Sequence, residues 1–276
     1  MLLLFPKYKN RLLLIIGVYV CCLAFLFMLR PGMNMVAFFL IGLFGLLVIF
    51  FSQYMHATNL HSQQLNRLYN YLDVEGFLRE YEPHLSAKVR SQNLYLMVRL
   101  HVSNAYVALG RFDDAIKLLS SIEIKEDKPE KMLIARFAVV SNLCYCYEQM
   151  NDLPSAEKYL SELLTLKKQL EEIQLTKPAK KRMAFNTELN EQCMNFLKTG
   201  TADIALLKTQ VQQNTTQQLH RITTSLWIAR AMLAKQNRRE ADNILRQIVK
   251  LAPHLYPGKA AAALLADLPA KAEEKA

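Results

Sequence analysis

The sequence predicts an all-α chain: an N-terminal two-helix transmembrane hairpin followed by an α-solenoid of helical hairpins. Three observations predict it. Two charge-free apolar runs stand before residue 55. Beyond residue 60 the apolar residues recur at three- and four-residue intervals, and strand-like alternation is not sustained anywhere. Breaks rich in Gly, Pro, Asn and Asp then cut this remainder into helices of about ten to twenty residues.

Residues 1–55 form the anchor, with spans at about 12–29 and 35–54. About twenty apolar residues at 1.5 Å each cover the ~30 Å hydrocarbon core, so both runs, extended into their flanks, have the length to span. Between them Arg30-Pro31-Gly32-Met33-Asn34 joins a charge to two helix breakers and turns the chain back. A cleaved signal peptide is the competing account, with Lys7, Lys9 and Arg11 ahead of an apolar core. The run is long for that role, and Phe25 to Arg30 lacks a small-x-small cleavage pattern. Three bases precede the first span and one lies in the turn, whereas the nearest base after the second span is Arg67. This bias places the N-terminus inside, and a hairpin returns the chain to the same side. The expectation is an integral membrane protein with two spans and a cytosolic soluble domain.

Residues 56–268 form the helical domain and 269–276 a flexible charged tail. The second span continues as helix toward Leu65, Leu68 and Leu72. Breaks are expected at Glu82-Pro83, Leu109-Gly110-Arg111, Glu126 to Pro129, Met150-Asn151-Asp152, Lys177-Pro178, Thr199-Gly200 and Ala252-Pro253.

In the run Asn104 to Ile116, Tyr106 is followed four residues later by Gly110, then by Phe112 and the small Ala115. Tyr147, Asn151 and Ala156 repeat this spacing, as do Phe196, Gly200 and Ala205, and Met232, Gln236 and Ala241. The scheme resembles the tetratricopeptide repeat (TPR), in which an aromatic packs the first helix, a left-handed residue makes the turn and a small residue lets the second helix approach. The spacing between units is longer and less regular than the family period of about 34 residues. The resemblance therefore implies a distorted array with long helices over residues 65–268, a half-matching first unit at 65–83 and a capping helix at Gly258–Leu268. An irregular helical bundle is the competing architecture.

The resemblance also implies function: a concave face that receives a segment of a protein partner. Its groove-facing positions correspond here to His101, Asn104, Asn142, Tyr145 and Arg230. Asn104 and Asn142 coincide with asparagines that grip a C-terminal carboxylate in some family members. The basic residues of that clamp are replaced by Leu100, Thr187 and Glu191. Helix-surface or inter-helix hydrogen bonding is the plainer role for both asparagines.

Composition narrows the remaining classes. There are 34 Lys and Arg against 24 Asp and Glu, and Lys7, Lys9, Arg11 and Arg30 lie in a segment without acids, so the helical domain is only mildly basic. That argues against nucleic acid as a partner and is compatible with a lipid bilayer. Lys167, Lys168, Lys177, Lys180, Lys181 and Arg182 make a local cluster, read either as a solvated face or as contact with anionic lipid or an acidic partner. Cys144, Cys146 and Cys193 lack metal-ligand spacing, and no HExxH, GxSxG or phosphate-cradling glycine loop occurs. No enzyme activity, metal, cofactor or small-molecule substrate is expected. The expected role is a membrane-anchored adaptor; the alternatives are a non-catalytic subunit of a membrane enzyme or transport complex, or lipid or nucleic-acid binding through the basic cluster.

Overall fold

The computed structural model describes residues 6–29, 34–86, 92–125, 128–213 and 217–268. Residues 30–33 of the expected turn, the Asn214-Thr215-Thr216 segment and the 269–276 tail lie outside the described residues. The described chain is helical and contains no strand. It divides into two compact units, Met1–Asn66 and Arg67–Ala276.

In the first unit α1 (Pro6–Leu29) lies antiparallel to α2 (Met35–Tyr69). The Phe27 and Phe38 rings meet at 5.1 Å. Farther along, the Tyr19 hydroxyl donates to the Ile41 carbonyl at 3.0 Å. The Tyr19 ring lies against Gly45, where any Cβ would run into the hydroxyl. Most of the apolar side chains of both helices face outward, the reverse of a water-soluble helix pair. One helix, taken over Phe38–Tyr69, is long and apolar enough to cross a membrane, whereas the apolar stretch Leu12–Met28 of α1 is shorter.

In the second unit α3 (Val74–Tyr81) follows α2 through a turn in which Leu72 is left-handed. A short 3-10 segment, Glu82–Ser86, follows at the expected break. Four hairpins come next: α4 (Gln92–Leu109) with α5 (Phe112–Ser120), α6 (Pro129–Met150) with α7 (Leu153–Glu171), α8 (Lys177–Thr199) with α9 (Ile204–Gln213), and α10 (Gln218–Ala234) with α11 (Arg238–Leu251). The last element, α12 (Tyr256–Ala266), begins two residues before the expected capping helix. Lys177-Pro178 opens α8 instead of breaking the chain, since proline in the first turn removes only a donor that has no helical partner.

The four turns form where the spacing predicts. Gly110, Asn151, Gly200 and Gln236 all have left-handed backbones, with φ of 80°, 58°, 70° and 64°. Three of the turns close alike: Arg111, Asp152 and Asn237 donate their backbone N–H groups to the carbonyls of Tyr106, Tyr147 and Met232 at 2.8–3.0 Å. The four-residue spacing between the large residue and the turn residue is therefore a backbone requirement as much as a packing one.

Ala115, Ala156 and Ala241 are fully buried, as the repeat scheme requires. Ala205 departs from it and is exposed. In the other three hairpins the second helix starts two residues after the left-handed residue, but α9 starts only at Ile204, with the Asp203 carboxylate accepting from the Leu206 N–H at 3.0 Å. Two added residues rotate the helix, so the fourth position falls on Leu207, 1% exposed, and Ala202 is buried ahead of it. Leu207 and Ala202 pack with Cys193 of α8, Trp227 and Met232 of α10 and Ala241 of α11. A second core joins Phe137 and Val140 of α6 to Leu163, Leu166 and Leu170 of α7 and Met183 of α8. Each core spans the seam between successive hairpins, which is how stacked helix pairs bury faces that a lone pair leaves wet.

Candidate functional site

The inner helices of the second unit close on themselves. α4 packs on α6, α6 on α8, α8 on α10, α10 on α12, and α12 returns to α4. The return runs through Tyr256, whose ring stands edge-on to Phe112 at 4.8 Å. The same ring lies 3.2 Å from the point where a Cβ on Gly110 would sit. All five residues expected to line a partner groove lie on these inner helices, and their side chains meet other residues of the chain.

His101 and Asn104 are one helical turn apart on α4 and converge on Tyr69, at the end of α2 within the second unit. Asn104 Nδ2 donates to Tyr69 Oη at 2.9 Å, and Tyr69 Oη lies 2.8 Å from His101 Nδ1. An amide nitrogen only donates, so the phenol accepts from Asn104, and the imidazole tautomer sets which partner donates between Tyr69 Oη and His101 Nδ1. The His220 ring of α10 lies against the same phenol at 5.4 Å. Burial, reinforced by the charge of Arg182, lowers the His220 pKa to about 4, so the ring is neutral near pH 7. One tyrosine thus joins α4 and α10 and lies in the field of the Arg182 charge on α8.

Tyr145 and Arg230 belong to a second group. The Arg230 guanidinium reaches the Tyr256 hydroxyl at 3.4 Å and stacks over Trp227 at 4.7 Å. Tyr145 sits in the field of Arg230, Tyr256, Cys193 and Glu148, and burial raises its pKa well above the ordinary phenol value. Asn142 joins neither group, because its Nδ2 donates to the Ala138 carbonyl of its own helix at 2.7 Å. This is the plainer of the two roles foreseen for it. Thr187 is likewise turned onto its own helix, donating to the Met183 carbonyl at 2.9 Å.

Four participants escaped the sequence reading: Tyr69, Glu148, His220 and Tyr256. Glu148 is the most unusual, a carboxyl only 1% exposed. The Cys144 thiol lies 3.3 Å from its Oε1, and Cys193 donates to the same carboxyl. Its Oε2 has no hydrogen-bond partner among the described residues. Burial raises its pKa well above the usual carboxylate value and outweighs the two thiol hydrogen bonds, so the group is held as the neutral acid. A signal existed: Glu148 follows Cys144 by four residues, which places an acid on the apolar stripe of α6. Tyr69 and Tyr256 carried no such signal, because each lies at a helix end outside the repeat spacing. Among the described residues no group of His, Cys, Asp and Glu could hold a metal ion. These side chains hydrogen-bond and stack across the inner helices and fix them to one another.

Residues 224–254 match the family model for the tetratricopeptide repeat. The matched stretch is the α10–α11 hairpin from its middle onward, including Met232, Gln236 and Ala241. A crystal structure of nearly identical TPR-like repeats from Podosopora anserina, described as a kinesin light chain, is similar at 21% identity with a TM-score of 0.37. The similarity covers 70% of this chain and 94% of that one. The comparison with curated proteins found no match.

Proposed function

We propose that the protein is a membrane-tethered, TPR-like adaptor: the α1–α2 hairpin spans the bilayer twice, and the helical unit holds a protein partner on the cytosolic face. The observation that carries the reading is the α10–α11 hairpin, which matches the repeat family and shares its left-handed turn with α4–α5, α6–α7 and α8–α9. Repeats of this kind generally bind proteins and perform no covalent step. The outward-facing apolar side chains of α1 and α2 support the tether.

In this reading a partner segment enters along the inner helices and takes over the hydrogen bonds that Tyr69 and Tyr256 now make. His101, Asn104, Tyr145 and Arg230 meet it, with Asn142 released from its own helix. Tethering raises the local concentration of partners at the surface, so modest affinity suffices to hold a membrane complex during assembly or quality control.

The test is crosslinked affinity purification of the full chain from intact membranes, with wild type beside Asn104→Ala and Arg230→Ala. The expected result is a partner set retained by wild type and depleted in both variants. An identical partner set in all three would remove the inner face as the binding surface, and extraction of the chain by a carbonate wash would remove the tether.

A further inference from the structure

Two members of the basic cluster at residues 167–182, Lys167 and Lys180, line an opening in the helical unit that the adaptor reading leaves unused. Where α7 ends and α8 begins, a cavity of about 210 Å³ lies between the two helices. Leu170, Leu175, Met183 and Ala184 line it. Leu170 and Met183 belong to the α6–α7–α8 core, so the floor of the cavity is continuous with buried hydrocarbon. An apolar cavity of about 150 Å³ accepts a molecule the size of benzene, and this one has room for about two methylene groups more.

Two lysines share the lining: Lys167, half-buried on α7, and Lys180, exposed on α8. Neither has an ion-pair partner among the described residues. Glu171 is the one acid of the lining, so positive charge dominates. Hydrocarbon below and unpaired ammonium groups beside it are complementary to a single kind of molecule, an alkyl chain carrying an anionic head. A peptide segment would bring backbone N–H and C=O groups that Leu170, Leu175 and Met183 cannot satisfy.

We propose that this cavity is a binding site for a single-chain anionic phospholipid, with the chain against Leu170, Leu175 and Met183 and the phosphate between Lys167 and Lys180. The site is independent of the inner face, and the proposal stands or falls without the adaptor reading.

The test uses the full chain in phosphatidylcholine nanodiscs, titrated with lysophosphatidate carrying a diazirine on its acyl chain, followed by irradiation and peptide mapping. Labelling is expected on the peptides bearing Leu170 to Ala184, competed by unlabelled lysophosphatidate and not by lysophosphatidylcholine or inorganic phosphate. Lys167→Gln with Lys180→Gln weakens binding by about thirtyfold, at about 1 kcal/mol per lysine. Ala184→Phe leaves both lysines in place but fills the cavity, and it abolishes labelling; Trp227 fluorescence verifies that both variants are folded. Labelling confined to residues 12–54, equal competition by lysophosphatidylcholine or inorganic phosphate, or unchanged binding in either variant each overturns the proposal.

Discussion

Replacing Glu148 by glutamine removes one proton from the folding equilibrium and should change how stability depends on pH. In the folded protein burial holds Glu148 as the neutral acid, whereas in the unfolded chain it titrates near 4.5. Above that pH the unfolded state loses a proton that the folded state keeps, so stability falls as pH rises toward the folded pKa. The slope is about 1.4 kcal/mol per pH unit, which across pH 5 to 7 amounts to as much as about 2.7 kcal/mol. His220 acts in the opposite sense: its pKa is lowered from 6.5 to about 4, so its contribution is complete above 6.5 and is lost as pH falls toward 4. The two slopes offset each other between about 4.5 and 6.5, and the wild-type profile alone would conceal both. The informative quantity is the difference between wild type and Glu148→Gln, in which the His220 contribution cancels. Urea unfolding of the full chain in detergent, followed by the fluorescence of Trp227, the single tryptophan and only 2% exposed, measures it. Glutamine keeps the shape and an acceptor for the Cys144 and Cys193 thiols, so the variant should gain on wild type steadily from pH 5 to 7. A difference that stays flat over that range would mean that Glu148 is ionised in the folded protein, and the account of a neutral interior would be wrong.

Gln236→Gly should raise stability by about 0.5–1 kcal/mol, seen as a higher urea midpoint, because a non-glycine residue with φ of 64° carries a steric cost that glycine lacks. Gly110→Ala should lower it by about 1–3 kcal/mol in the same assay, since φ is 80° and the new methyl sits 3.2 Å from the Tyr256 ring. Leu207→Ala should cost about 2–5 kcal/mol, whereas Ala205→Leu should change stability by less than about 0.5 kcal/mol. The reverse order would restore the sequence-based register of α9.

What the sequence conveyed was periodic. The 3.6-residue apolar pattern marked the helices, and a four-residue interval marked the left-handed turns at Gly110, Asn151, Gly200 and Gln236, because both rules act between neighbours along the chain. The misplaced alanine shows where such rules stop: Thr201, Ala202 and Asp203 stand where the other turns have one residue, and α9 rotates until Leu207 faces the core. The site was harder to foresee. His101, Asn104, Tyr145 and Arg230 were found as positions on inner helix faces, but the residues they meet were not. Tyr69 lies 32 residues from His101, and Tyr256 lies 26 from Arg230. Each pairing skips an intervening helix, α3 in the first case and α11 in the second, and local periodicity contains no information about such packing.

The return of α12 to α4 bears on how the domain can evolve and how it comes apart. An open stack of hairpins lengthens by duplication and frays from its ends, because each hairpin depends only on its neighbours. Here an inserted hairpin would separate Tyr256 from Phe112 and Gly110, so the copy number is locked by geometry. Among the described inner helices the circuit has no open end, since α12 packs on α4. Loss of any one hairpin opens the circuit for all of them, and the helical unit should therefore lose its structure in one cooperative event instead of unravelling piece by piece.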